Sequence, residues 1–322
     1  MSRAWLVGFV VSSFVFAAGA SAADTEKVDF DQGIAVPNVA GQVQVKPDQN
    51  RDVPTAQWTF KVSSQGAKHA KGFLHKDLPS SIFKRYQASA GAVIPNTLDL
   101  RPQLTQIEDQ GNCGSCWAFS LTATHRDGHA IGGKDPGRLS QEWLVDNSAE
   151  AEGCNGGDFD SAKEFVTPGG QPLWSKCPYK TGSGKCAKSM PFAAHITGWH
   201  MIGAKDAGPS VKEIEAYMAS SGKPISIAVA AGVGPWEGYS DGVYNGCKTG
   251  QLDHMINIVG WDNEGADFDK NGNLPPGKGI WILRNSWGKG WGEDGYMRTK
   301  MTDAKGIRCN AVAQEAAYFD FN

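Results

Sequence analysis

The chain has 322 residues, 40% of them hydrophobic and 20% charged, with 31 Lys and Arg against 34 Asp and Glu and a formal net charge of −3. That balance is ordinary for a globular protein with one large core or two modest ones, and it excludes a wholly disordered chain. There is no basic excess or lysine-rich run to follow a phosphate backbone, so nucleic acid is not an expected partner.

Arg3 is followed by the apolar stretch from Ala4 to Ala18, broken only by Ser12 and Ser13, and by the small residues Ala20, Ser21, Ala22 and Ala23. The pattern predicts a signal peptide over residues 1–23, because the apolar run is shorter than the roughly 20 residues that span a bilayer. Secretion, or delivery to a periplasm, with no membrane attachment after cleavage is the expectation. Export puts the seven cysteines where pairing is the default, and an odd number leaves one thiol free. All seven lie after residue 112. Residues 24–91 are free of cysteine and weakly periodic, and are expected to be removable, with the folded part starting at residue 92.

A helix is predicted from Cys116 to His129, since Trp117, Ser120 and Leu121 recur at helical spacing and Ser115 is placed to cap the first turn. A second is predicted over 140–146. A third starts at the capping box of Ser210 and Glu213 and stops at Gly222-Lys223-Pro224. Strand-type runs then follow at 225–229, 255–259, 280–283 and 296–299. Helices first and strands second predict an α+β protein of two subdomains, with its site in the cleft between them.

Cys113 and Cys116 stand in "QGNCGSCWAFS", residues 110–120. A zinc site needs a second close pair of ligands that the chain does not offer, so no metal is expected there. A redox pair belongs in a strand-to-helix setting that this stretch lacks. The remaining reading is a nucleophile, with Cys116 at a helix N-terminus where a thiolate is stabilised. Such a thiolate needs a histidine to take its proton and later deliver it to the leaving amine. His125 and His129 lie too far along the same helix. His69 and His75 fall in the removable segment, and His195 and His200 have no orienting motif after them. His254 starts an apolar strand, and Asn285 ends the next one beside Trp287, where it can fix the imidazole.

These blocks, "QGNCGSCWAFS", "GCNGGD", "LDHMINIVGW" and "RNSWGKGWGEDGY", resemble in order the four signatures of the papain family of cysteine peptidases. The resemblance runs from about Ile94 to the C-terminus. It implies a helical N-terminal half, a β-barrel-like C-terminal half and an active site in the cleft. It also implies that Cys116 is the nucleophile, His254 the acid and base, Asn285 the residue that orients the imidazole, and Gln110 the side-chain donor of the oxyanion hole. Trp287 and Trp291 resemble the cover over the Asn285–His254 bond, and Asp253 a position that is often acidic or amide and is not usually required. By family position Cys113 pairs with Cys154 and Cys247 with Cys309, which leaves Cys177 and Cys186 for each other. Asn147 stands where many relatives carry a cysteine, so the last pair is a local inference.

The same resemblance makes Gly156 and Gly157 the edge that binds a substrate backbone, and places Asp158, Phe159, Ala228 and Leu252 around the main specificity pocket. A bulky apolar preference is expected, while Asp158 and a floor near Gln314 leave a basic one open. No blocking insertion is evident, which favours an endopeptidase. Residues 24–91 resemble a propeptide by place, without the usual helical motif, and are expected to cross the cleft and inhibit the enzyme. Peptide or protein substrates, no cofactor and a monomer complete the expectation. Residues 267–273 copy half of an EF-hand loop, but Lys278 takes the place of the bidentate glutamate, so a polar hairpin is the favoured reading. Two alternatives remain, a catalytically idle binding protein on this fold and an acyl-transfer enzyme using the same thioester.

Overall fold

The predicted helix forms as α1, Cys116–Ile131, and is followed by α2, Gln141–Asn147, and α3, Val211–Ser221. We describe a computed structural model over residues 59–63, 68–87, 93–181 and 184–322. The predicted signal peptide and residues 24–58 of the predicted propeptide lie outside the described residues. Ser140 caps α2 by accepting from the Trp143 N–H, and Ser210 and Glu213 form the capping box of α3, which ends on Gly222 in the left-handed region. The cap predicted for α1 does not form. Ser115 Oγ instead meets Tyr179 Oη at 2.7 Å, because the hydroxyl faces that ring rather than the first turn.

The strands are β1 (Thr59–Val62), β2 (Phe83–Lys84), β3 (Thr97–Asp99), β4 (Gly198–Ile202), β5 (Ile225–Val229), β6 (Tyr239–Tyr244), β7 (His254–Asp262), β8 (Ile280–Arg284), β9 (Tyr296–Lys300) and β10 (Ala316–Asp320). They join in the order β1-β6-β9-β8-β7-β5-β10-β4-β2, with β3 beside β7. The four predicted strands occupy the middle of this path, and the short or polar ones lie towards its ends. The segment predicted to be a propeptide supplies both outermost strands: β1 runs antiparallel to β6, and β2 parallel to β4.

Two cores flank the central strands. One packs Ile214 and Met218 of α3 against Ile225, Ile227, Ile256, Ile258 and Leu283. The other packs Trp117 and Leu121 of α1 with Trp143, Phe159, Phe165, Ala228 and Met255. Because successive strand residues face opposite sides, Met255 and Ile256 serve different cores, which is why β7 is buried along its whole length. The seam between α1 and the sheet is polar and closed: Asn257 Nδ2 donates to Ser120 O at 3.0 Å and Thr124 Oγ1 at 2.9 Å, and Ser120 Oγ donates to Ile256 O. A buried ion pair between Asp127 and Arg284 ties α1 to β8 as well. The helix therefore cannot slide along the strand without leaving buried polar groups unpaired.

Three disulfides form, Cys113–Cys154, Cys177–Cys186 and Cys247–Cys309, and Cys116 is the free cysteine. Asn147 Nδ2 donates to Trp143 O and Cys186 O, so the amide still ties α2 to the chain at Cys186.

Candidate active site

β7 and β8 run antiparallel with Asn257 opposite Arg284, a register that brings the start of one and the end of the other to the same end of the sheet. His254 opens β7 and Asn285 follows β8. Both are buried, and His254 Nε2 lies 2.8 Å from Asn285 Oδ1. The Ser286 N–H also donates to Asn285 Oδ1, which fixes that atom as the acceptor. Nε2 therefore carries the proton, and Nδ1 is the nitrogen left to receive one. Trp287 stacks on the imidazole with ring centres 4.6 Å apart, and Trp291 packs edge-on against Trp287.

α1 begins at Cys116 in the same place. The buried Sγ accepts N–H groups from Met255 and from Gly72, each at 3.3 Å. Gln110 is also buried. Its Oε1 accepts from Ser286 Oγ at 2.6 Å, which aims Nε2 at Ala70 O and Cys113 O. Tyr179 Oη donates to Gln110 O and meets Ser115, joining the start of the cysteine block to the residue before Cys116. Ser286 and Tyr179 were not singled out in the sequence. Ser286 lies inside the Asn285 block and could have been suspected from it, but nothing local marks Tyr179.

Residues 68–78 run through the site as an extended strap. Gly157 N donates to Gly72 O and Leu74 N to Gly157 O, a parallel bridge that uses the predicted substrate edge. A Cβ on Gly72 would sit 1.8 Å from the backbone oxygen of Gly114, so only glycine allows this approach. Gly156, with φ 134°, turns the chain into the edge. Phe73 is buried edge-on to Phe159, in the same core as Ala228 and Met255, with Leu252 packed against it. Asp158 accepts the N–H groups of Phe159 and Lys76, and burial, helped by nearby Asp160, pushes its carboxyl up to about 7. Near the expected floor, Gln314 is exposed and its neighbour Glu315 faces the strap, 2.8 Å from His75.

Further contacts hold the strap. His69 stacks on Trp287 with ring centres 4.3 Å apart, Lys71 pairs with Glu237, and Lys76 meets Asp160. Desolvation pushes the Cys116 thiol up to about 12 and the His254 imidazole down to about 3. Burial under the strap thus favours the neutral form of both groups. The other histidines take unrelated partners: His125 pairs with Gln171, His129 with the His195 carbonyl, and His200 with Asp320.

The chain is 36% identical over 239 residues to the probable cysteine protease RD21B of Arabidopsis thaliana, a match that covers 73% of this chain and 48% of that relative. It thus spans about half the length of the relatives it matches first. Among solved structures it superposes on digestive procathepsin L2 proteinase from Tenebrio molitor larval midgut with a TM-score of 0.64, 27% identity and 78% of each chain covered. A recombinant stem bromelain precursor gives a TM-score of 0.61 at 28% identity, over 79% of this chain and 78% of that one. The pattern described as papain family cysteine protease matches residues 94–318, and on that match the chain belongs to the papain family of cysteine proteases.

Proposed function

We propose that the protein is an exported cysteine endopeptidase made as a proenzyme, with a signal peptide at 1–23, an inhibitory propeptide at 24–91 and the enzyme from residue 92. One observation carries the reading: the free cysteine, the His254–Asn285 pair and the Gln110 amide meet in a single cleft, and an extended strap from the removable segment lies across it.

When the strap leaves, water and substrate re-enter and the desolvation that holds both groups neutral is relieved. The Cys116 proton then passes to His254 Nδ1, while Asn285 keeps the ring turned by accepting from Nε2. The thiolate attacks the carbonyl carbon of a peptide bond, and the oxyanion takes N–H bonds from Gln110 Nε2 and the Cys116 backbone, a pairing that lowers such barriers by about 3 kcal/mol per donor. His254 gives its proton to the leaving amine, and the thioester is hydrolysed by a water that His254 deprotonates. In the strapped state the Ala70 carbonyl accepts from the Gln110 amide and the Gly72 N–H donates to the sulfur, so the strap occupies both the oxyanion donor and the nucleophile.

Gly156 and Gly157 would bind the substrate backbone, and Asp158, Phe159, Ala228 and Leu252 would surround the side chain that selects it. Phe73 in that pocket supports a preference for a large apolar side chain. Substrates are peptides or proteins.

The test compares wild type with Cys116→Ala by intact mass after mild acidification under gentle reduction, followed by iodoacetamide and an assay on a peptide carrying Phe at the selected position. Wild type alone should shorten to near Ile94, gain one alkyl group and cleave the peptide to a free acid. If neither protein shortens, alkylates or cleaves, the reading is wrong and the idle scaffold takes its place. If added amine captures all of the product, the enzyme is an acyl transferase.

A further inference from the structure

Away from the cleft, the loop that resembles half a cation site is turned to another use. Asp269 Oδ1 accepts the N–H groups of Asn271 and Asn273, so this carboxylate oxygen serves the loop itself. The loop in turn caps α3, with Gly272 O accepting from Lys212 N and Asn273 Oδ1 from Val211 N. This docking holds Lys270, Asn271 and Asn273 at the rim of a depression of about 420 Å³, together with Arg85, Ser210 and Arg308. Three cations and three neutral polar side chains line it, and no carboxylate does.

Arg308 gives the depression its direction. Its guanidinium is half-buried and donates to the carbonyls of Ala313 and Pro209, and among the described residues no carboxylate pairs with it. Glu213 acts on this partly desolvated cation only from beyond contact, and the cation's nearest partners are carbonyls, so the favourable complement is an anion. The nearest acid, Glu213, is committed: it accepts Ser210 N and Ser210 Oγ and pairs with Arg85 at 3.3 Å. The leading N–H groups of α3, from Val211 to Glu213, are already taken, so the helix end is not what attracts a ligand here.

We propose that this depression is an oxyanion site, taking one phosphate or sulfate group between Arg308, Lys270 and Arg85. Planar guanidinium forks and an ammonium together suit a tetrahedral dianion. Arg85 belongs to the removable segment, just after β2, while Lys270 and Arg308 belong to the enzyme. An anion bound here therefore ties the end of that segment to the body of the protein, at a distance from Cys116. The ligand is either a free oxyanion or the sulfate of a polysaccharide.

The experiment uses the full chain carrying Cys116→Ala, titrated calorimetrically with inorganic phosphate, sodium sulfate and heparin, against sodium chloride at matched ionic strength. Binding of either small anion at one site, weakened about tenfold or more by Lys270→Glu, supports a free oxyanion as the ligand. Binding of heparin alone, weakened to the same degree by Lys270→Glu, supports the site with a polymer as its source. Arg85→Gln should weaken whichever ligand binds. Lys270 is exposed and outside the core, so its replacement leaves the fold intact, and retained thermal unfolding of that variant checks this. No binding above the chloride control, or binding equal in wild type and Lys270→Glu, overturns the proposal.

Discussion

Two stretches of chain meet at Cys116 and are held there by different means. The α1–β7 seam is closed by buried hydrogen bonds from Asn257 and Ser120 and by the buried Asp127–Arg284 pair, between two apolar cores. The strap over it contributes Phe73 and Leu78 to a core, and otherwise rests on backbone bonds, a stacked histidine and partly exposed ion pairs. In the function proposed above, the first arrangement holds the catalytic geometry and the second is removed without disturbing it. Machinery and lock are thus separable, and each can be broken alone.

The sharpest separation is in thiol reactivity. With the strap in place the Cys116 thiol is pushed up to about 12 and His254 down to about 3, so between those limits the neutral pair persists and thiolate is scarce. Alkylation of the strapped protein should therefore be slow at pH 7 and climb about tenfold per pH unit on the alkaline side. Once the strap is cut away and washed out, the rate at pH 7 should rise by at least about 10³-fold, since an ordinary thiol titrates near 8.5 and an ion-paired one lower. Iodoacetamide kinetics followed by mass spectrometry measure both. Equal rates would mean that the lock does not act through the sulfur.

Next in size is the apolar anchor. Removing a buried phenyl group costs about 3–5 kcal/mol in a core, so a peptide of residues 59–87 carrying Phe73→Ala should inhibit the processed enzyme about 10²-fold or more less tightly than the unaltered peptide. Gly72→Ala should be comparably damaging for a different reason, because its methyl group meets the Gly114 backbone, which cannot step aside. Inhibition constants that stay within threefold would show that the strap is held elsewhere.

What the sequence disclosed follows the same division. His254, Asn285 and Cys116 were readable because each sits at the end of a strongly patterned element, and a helix or strand end is where a rigid fold can aim a side chain. β5, β7 and β8 were readable as apolar runs because they are buried on both faces, and β9 as a short strand-type run that buries only Met297 and Thr299. β1, β2, β3, β6 and β10 were not read: the first two are short outer strands of the predicted propeptide, β3 has three residues, β6 carries Ser, Asp and Gly, and β10 is a five-residue run near residue 320. The strap was foreseen by place only. Its path depends on the absence of a side chain at Gly72 and on pairing with Gly157, 85 positions away, which no local pattern encodes. Ser115 misled because a serine before a helix is a cap only if its hydroxyl is free, and Tyr179 had claimed it.

The smallest effect is expected from the charges that rim the strap. Lys71 pairs with Glu237 at a site where both side chains keep nearly a quarter of their surface in water, and such pairs contribute about 0.2–1 kcal/mol. Lys71→Met in the same peptide should therefore weaken inhibition no more than about fivefold, and the loss should shrink further as salt is raised. The two variants together test how the lock is apportioned. If Lys71→Met matched Phe73→Ala, the strap would be an electrostatic lid that salt alone could lift, and its separation from the catalytic seam would rest on charge rather than on burial.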